Sequence, residues 1–272
     1  MLYWGEIPSL VKAFGDDGSA LHAALQLPSL AAAELERKKA FSREALAAAE
    51  KFAMSDYLIT LVGSPPQGEA GRAFYERVAK ITGMPVDVVT QARGFINNTY
   101  VKNLRSDDGK IVSHYDTTFA VDDPYPELRA ARGSDPILDG ISRAYGGAMA
   151  AYARNELGFK TEMTYILLAP GASHDWDWQG NRSRASVEDE LRELLAFDPS
   201  FHLLIAHGYS DMVTPYAMTR YILDHLPSIG APDRAQLKLY RGGHMLYLDA
   251  QSRRAFSSDV AAFFHAGENA TR

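Results

Sequence analysis

The chain has 272 residues, of which 46% are hydrophobic, and a formal net charge of −6. That length supports one large core or two small ones, and the charge, with no Lys/Arg run beyond Arg37-Lys38-Lys39, argues against a nucleic-acid partner. Cysteine is absent, which excludes disulfides, thiolate metal sites and a cysteine nucleophile without deciding the compartment. From its N-terminus, MLYWGEIPSLVKAFGDDG, the sequence shows no basic region followed by an apolar one, so no secretory signal is expected. No stretch reaches the ~18 consecutive apolar residues of a membrane span. The localisation stays open.

In chain order, residues 20–156 read as mainly helical. The Ala/Leu-rich stretch 21–37 is a helix with Pro28 as a break or kink. Ser42 is placed to cap a helix over 43–62, where Leu46, Ala49, Phe52, Ala53 and Tyr57 recur at helical spacing. The loop Gly63-Ser-Pro-Pro-Gln-Gly68 leads to a helix at about 69–82, stopped by Gly83. Pro85 suits the start of a short helix over 86–93. Residues 102–115 read as a hairpin turning at Ser-Asp-Asp-Gly109, and Asp122, Asp123 and Glu127 as a solvated acidic loop. Ser134-Asp-Pro136 opens a helix with Ile137, Ile141, Tyr145 and Met149 on one face.

The pattern changes near residue 161. A short apolar run, Tyr165-Ile-Leu-Leu-Ala169, precedes a loop containing Asp175-Trp-Asp-Trp178, and a helix covers 187–197. Trp176, Asp177 and Trp178 read as a loop anchor rather than a substrate subsite. Two strand–loop–helix units follow: 201–206 then 215–226, and 236–240 then 252–265. Apolar runs alternating with amphipathic helices are the pattern of a parallel α/β sheet. The division expected is a helical cap over 1–160 and a sheet-bearing part over 161–272.

Each unit delivers one polar residue after its strand. Asp211 follows the first. With Thr214 assigned as N-cap and Pro215 as first helical residue, Asp211 is expected to have no capping duty. His244 follows the second, behind Gly242 and Gly243, which permit a sharp turn. Parallel strands lie ~4.8 Å apart, and loops at their C-terminal ends are where ligands and reactive groups gather. An aspartate on one imidazole nitrogen leaves the other to take a proton from a nucleophile. The residues alone leave two readings open: that pair, or a loop aspartate and a turn histidine without chemistry.

The stretch His207-Gly-Tyr-Ser-Asp211-Met-Val-Thr-Pro215, with Tyr240-Arg-Gly-Gly-His244-Met245, resembles the C-terminal part of the serine carboxypeptidase family of α/β-hydrolases, in its bacterial branch. Leu27-Pro-Ser-Leu-Ala-Ala-Ala-Glu34, Phe52-Ala-Met-Ser-Asp-Tyr57, Thr82-Gly-Met-Pro85 and Trp176-Asp-Trp178 fit the same branch, so the likeness runs from about residue 20 to the end. The resemblance implies the last parallel strands of an α/β-hydrolase core plus a helical cap, and proteolysis that releases C-terminal residues from a peptide substrate. It implies Asp211 as triad acid, His244 as base and Met245 lining the pocket for the leaving residue. No metal or organic cofactor is implied, and the histidines show no metal-ligand spacing. His207 reads as a strand-end residue rather than a catalytic one. Another hydrolase or an acyltransferase on the same scaffold is the enzymatic alternative.

The family's nucleophile sits in Gly-x-Ser-x-Gly ahead of the aspartate, and no serine here has glycine on both sides at that spacing. Ser210 adjoins the acid and reads as loop. Ser173 has Gly171 two residues ahead and precedes Asp211 and His244 in the right order. The Asp-Trp-Asp-Trp-Gln-Gly-Asn that follows does not read as the helix a nucleophile elbow requires. The expectation is a truncated C-terminal portion or a short paralogue, inactive alone, the non-enzymatic alternative being a remnant that binds peptides or another chain. A few parallel strands cannot cover both faces of their sheet, so an exposed apolar surface and homo-oligomers through it are expected as well.

Overall fold

In the computed structural model, residues 19–169, 171–175, 177, 188–227, 229–230 and 234–270 are described. Ser19 accepts a hydrogen bond from the His22 N–H and starts α1, Ala20–Arg37. Every residue from His22 to Glu34 is buried, so α1 is the central helix of the core, apolar nearly all round. It runs on through Pro28, so the break, one of the two expectations there, does not occur. Helices packed on several sides of α1 hold it against the ~3 kcal/mol that an interior proline costs.

Ser42 caps α2, Arg43–Phe52, through the Ala45 N–H. The chain continues through a π-helical turn, Ala53–Tyr57, into α3, Leu58–Val62. The five residues expected to face inward are buried. The helix α4, Gly68–Thr82, ends at Gly83 in the left-handed conformation (φ 76°), and α5, Val86–Gln91, follows Pro85. Leu27, Leu30, Phe52, Tyr57, Val78 and Val89 form the heart of this helical core.

The hairpin expected over 102–115 is displaced. Tyr100–Asn103 is a helical turn, α6, in which Tyr100 and Lys102 are buried. The strand β1, Lys110–Val112, pairs antiparallel not with 102–105 but with the later β2, Ala120–Asp122. The Lys102 ammonium donates to Asp123 and to the Tyr125 carbonyl. Asp123 is therefore a partner in a buried ion pair and not part of a solvated run.

Asp135 caps α7, Pro136–Asn155, by accepting from the Ile137 N–H. Of its expected apolar face only Ile137 is buried; Tyr145 and Met149 are exposed. Tyr165-Ile-Leu-Leu-Ala169 lies in no strand, and most of it is exposed. After α8, Ala172–Asp175, and α9, Glu188–Phe197, come β3, Leu203–Gly208, then α10, Tyr216–His225, then β4, Ala235–Tyr240, and α11, Ala250–Ala270. β3 and β4 are parallel, with Gly208 opposite Tyr240, as the alternation of strand and helix predicts. The architecture is thus mixed helix and sheet. Ala32 and Leu46 of the helical part pack with Tyr209 and Tyr216, joining the two parts.

Candidate functional site

Both strands of the parallel pair end at the same side, and their loops converge. Asp211 is 1% exposed. Its Oδ1 accepts from the Val213 N–H at 2.8 Å and the Thr214 N–H at 3.0 Å. Its Oδ2 accepts from the Thr214 hydroxyl at 2.7 Å and lies 3.0 Å from His244 Nδ1. Thr214 does not cap α10 with its side chain; that position belongs to Pro215, and no side chain caps the helix. Asp211 is consequently not idle but holds the whole turn before α10. A carboxylate is the stronger acceptor, and an aspartate readily accepts from N–H groups two and three residues ahead. The Thr214 hydroxyl also sits 3.1 Å from His244 Nδ1, so carboxylate, hydroxyl and imidazole form one closed triangle.

The turn that delivers His244 depends on missing side chains. Gly242 has φ 95°, and a Cβ on Gly243 would stand 1.9 Å from the Tyr115 carbonyl oxygen. A Cβ on Gly208 would stand 2.1 Å from the Gly243 carbonyl oxygen. Three backbone segments are in direct contact here, which only glycine permits. Arg241 pairs with Glu36 of α1, tying the start of the turn to the central helix.

The loop between β1 and β2 is the template for both groups. His114 offers its carbonyl to the Met212 N–H at 3.1 Å, and Tyr115 offers its own to the His244 N–H at 2.6 Å. The Thr117 N–H donates to the Ser210 carbonyl at 3.1 Å, and the Ser210 hydroxyl donates to Asp116 Oδ1 at 2.7 Å. The loop is itself held by Asp135, which accepts from the Ser113 hydroxyl at 2.6 Å and the His114 N–H at 2.8 Å. The Tyr115 ring meets the His244 ring edge-on at 5.5 Å. Neither this template nor the bridging Thr214 was anticipated from the sequence; the short Asp-x-x-Thr spacing was the one local signal.

Burial shapes the proton affinities around the pair. It holds His207 below its ordinary value, an effect that a proton on His244 would add to, while Asp211 acts the other way. Burial likewise lowers His114, which Asp135 partly counters, and pushes the Tyr100 hydroxyl far up, aided by Asp135 and Asp211. At His244 the carboxylate side is accept-only, so Nδ1 carries the proton and Nε2 is the basic nitrogen. The His244 side chain is 28% exposed and so accessible from solvent.

Met245 lines an apolar pocket of about 350 Å³ with Phe119, Ile137, Ile141, Leu246 and Leu248. A more polar hollow of about 550 Å³ lies beside Asp116 and Gly242. Its arginines are engaged: Arg37 with Glu34, Arg105 with Asp108 and Arg241 with Glu36. Ser210 is a buried loop residue bonded to Asp116. Ser173 falls in α8, but its side chain, like Trp176 and Trp178, lies outside the described residues. Among the described residues no group of three or more His, Asp or Glu could hold a metal ion, and no helix is long and apolar enough to cross a membrane. Comparison with known proteins found no matching family model, no matching curated protein and no matching solved structure.

Proposed function

We propose that Asp211 and His244 are the acid and base of a serine carboxypeptidase-like α/β-hydrolase, and that β3 and β4 are the last strands of its core. The observation that carries this reading is the 3.0 Å contact between Asp211 Oδ2 and His244 Nδ1 at the tips of adjacent parallel strands. His244 Nε2 takes the proton of a serine hydroxyl, and Asp211 stabilises the imidazolium. The serine attacks the peptide carbonyl ahead of the C-terminal residue, that residue leaves with the proton, and water hydrolyses the acyl-enzyme. The pocket at Met245 suits an apolar side chain on the leaving residue.

No serine of the sequence stands in a Gly-x-Ser-x-Gly elbow, so the pair is assigned as the acid–base half of the machinery and the nucleophile is left to a separate segment. A second reading, a binding protein without catalysis, draws on the exposed apolar side chains of Leu157, Phe159, Met163, Ile166 and Leu168. The experiment joins this chain to the nucleophile-bearing half of a serine carboxypeptidase and follows release of the C-terminal residue from an N-blocked dipeptide. Release that is lost in His244→Ala and reduced at least ~10³-fold in Asp211→Asn is expected. Release indifferent to both substitutions, or none from a folded fusion, overturns the reading. A fluorophosphonate label on the unfused chain that disappears in Ser173→Ala would return the nucleophile to this sequence.

A further inference from the structure

The Asp211 carboxylate faces two imidazoles. His207, the penultimate residue of β3, is 12% exposed in its side chain, and its Nδ1 lies 4.0 Å from Asp211 Oδ2. That is the same oxygen that His244 Nδ1 meets at 3.0 Å. On the other edge of the His207 ring, Nε2 lies 2.9 Å from the Thr219 hydroxyl of α10. The Thr214 backbone also acts on the ring and raises its proton affinity, and Thr214 is the residue whose hydroxyl bridges Asp211 and His244. The strand-end role expected for His207 therefore leaves out its most consequential neighbours.

We propose that His207 is a positioning residue of the Asp211–His244 pair, a second imidazole that, once protonated, draws on the carboxylate oxygen that His244 uses. While neutral it braces the Thr214 turn and leaves the carboxylate to His244. When cationic it becomes an ion-pair partner of Oδ2 and weakens the hold of Asp211 on His244. The charged groups acting on the ring are Asp211 from its own loop and His244 from the turn after β4. The element packed on its far side, α10, offers the uncharged Thr219, and its register partner on β4 is Leu239. Burial keeps the ring neutral at neutral pH, so the device acts on the acid side. Two protons bound around one carboxylate interact, and their titrations are those of a pair.

The proposal rests on the hydrolase reading for its purpose but not for its test. Histidine side-chain NMR on the full chain, from pH 5 to 9, reads the coupling without any substrate. In the wild type the His244 resonance should show two inflections, the acid one coinciding with protonation of His207. In His207→Asn, which keeps a hydrogen-bonding group but does not titrate, the acid inflection should vanish. In His244→Gln the midpoint of His207 should move up, because it is then the sole imidazole on Asp211. Independent single inflections in the wild type, or a His207 midpoint unmoved by His244→Gln, overturn the proposal, and neither result depends on the His207 variant folding. Coupling without peptide release from the fusion would instead overturn the hydrolase reading alone.

Discussion

Two stretches of this chain are about equally apolar and end up in opposite conditions. From His22 to Glu34 no residue of α1 is more than slightly exposed, whereas from Leu203 to His207 no residue of β3 is fully buried. The difference lies in backbone chemistry. A helix satisfies its own N–H and C=O groups, so neighbouring side chains are enough to bury it from every side. A strand has to find partners on both edges, and a parallel sheet has to be covered on both faces. β3 has one strand partner among the described residues, β4. The lesson is that among the described residues the helical part closes its core, while the sheet does not.

The comparison is tested most severely by equal truncations in each stretch. Leu27→Ala in α1 removes a side chain with no exposed surface and should cost about 2–5 kcal/mol in urea-induced unfolding. Ile205→Ala in β3 removes one that is not fully buried and should cost less, because part of its transfer free energy was never gained. Equal losses would mean that β3 is covered in solution, and a dependence of the Ile205→Ala effect on protein concentration would identify a second copy as the cover.

The junction between the two parts gives the next effect. Gly243→Ala drives a methyl group into the Tyr115 carbonyl and the backbone of Asp116. The expected cost is roughly 1–3 kcal/mol, the usual range for overpacking. The sharper readout is local: the His244 N–H should lose the protection from hydrogen exchange that its 2.6 Å bond to the Tyr115 carbonyl provides. Unchanged protection with an unchanged melting curve would show that the loop before β2 does not template the turn.

Much of this was legible in the sequence. Ser42, Gly83 and Asp135 with Pro136 mark helix ends by local chemistry, and the structure puts helix ends at each. The two strand–loop–helix units, and the convergence of Asp211 on His244, followed from apolar runs and from the rule that parallel strands carry their loops at one end. The failures concern partners distant in sequence. Lys102 reads as the start of a hairpin strand until Asp123 and the Tyr125 carbonyl are placed beside it. The template loop 113–118 consists mostly of backbone carbonyls and N–H groups, which carry no signature in side-chain types. Pro215 argues for a cap at Thr214, but the Asp211 carboxylate three residues earlier, a stronger acceptor, takes the turn's N–H groups and the Thr214 hydroxyl itself.

The smallest expected effect is a pH dependence that draws on both parts. His207 at the end of β3 and His114 in the template loop are both held below their ordinary value, chiefly by burial. A histidine whose folded value is depressed binds fewer protons folded than unfolded once the pH falls to about 6.5, where the unfolded side chain begins to charge. Stability contributed by these neutral rings is therefore complete well above that pH and is lost as the pH falls through 6.5 toward their folded values. Glu34 cannot produce the same slope. Burial opposes its charge, but the Arg37 and Lys38 hydrogen bonds outweigh that and lower it, so its contribution is lost only below the ordinary carboxylate range. Urea midpoints should thus decline from pH 7.5 to pH 5.5, and the decline should be shallower in His207→Asn and in His114→Asn, each variant removing one proton-uptake site. If only the His114 variant flattens the curve, the charge of His207 is accommodated in the folded sheet, as the incompletely buried strand around it would allow, and the asymmetry between the two parts extends to their titration.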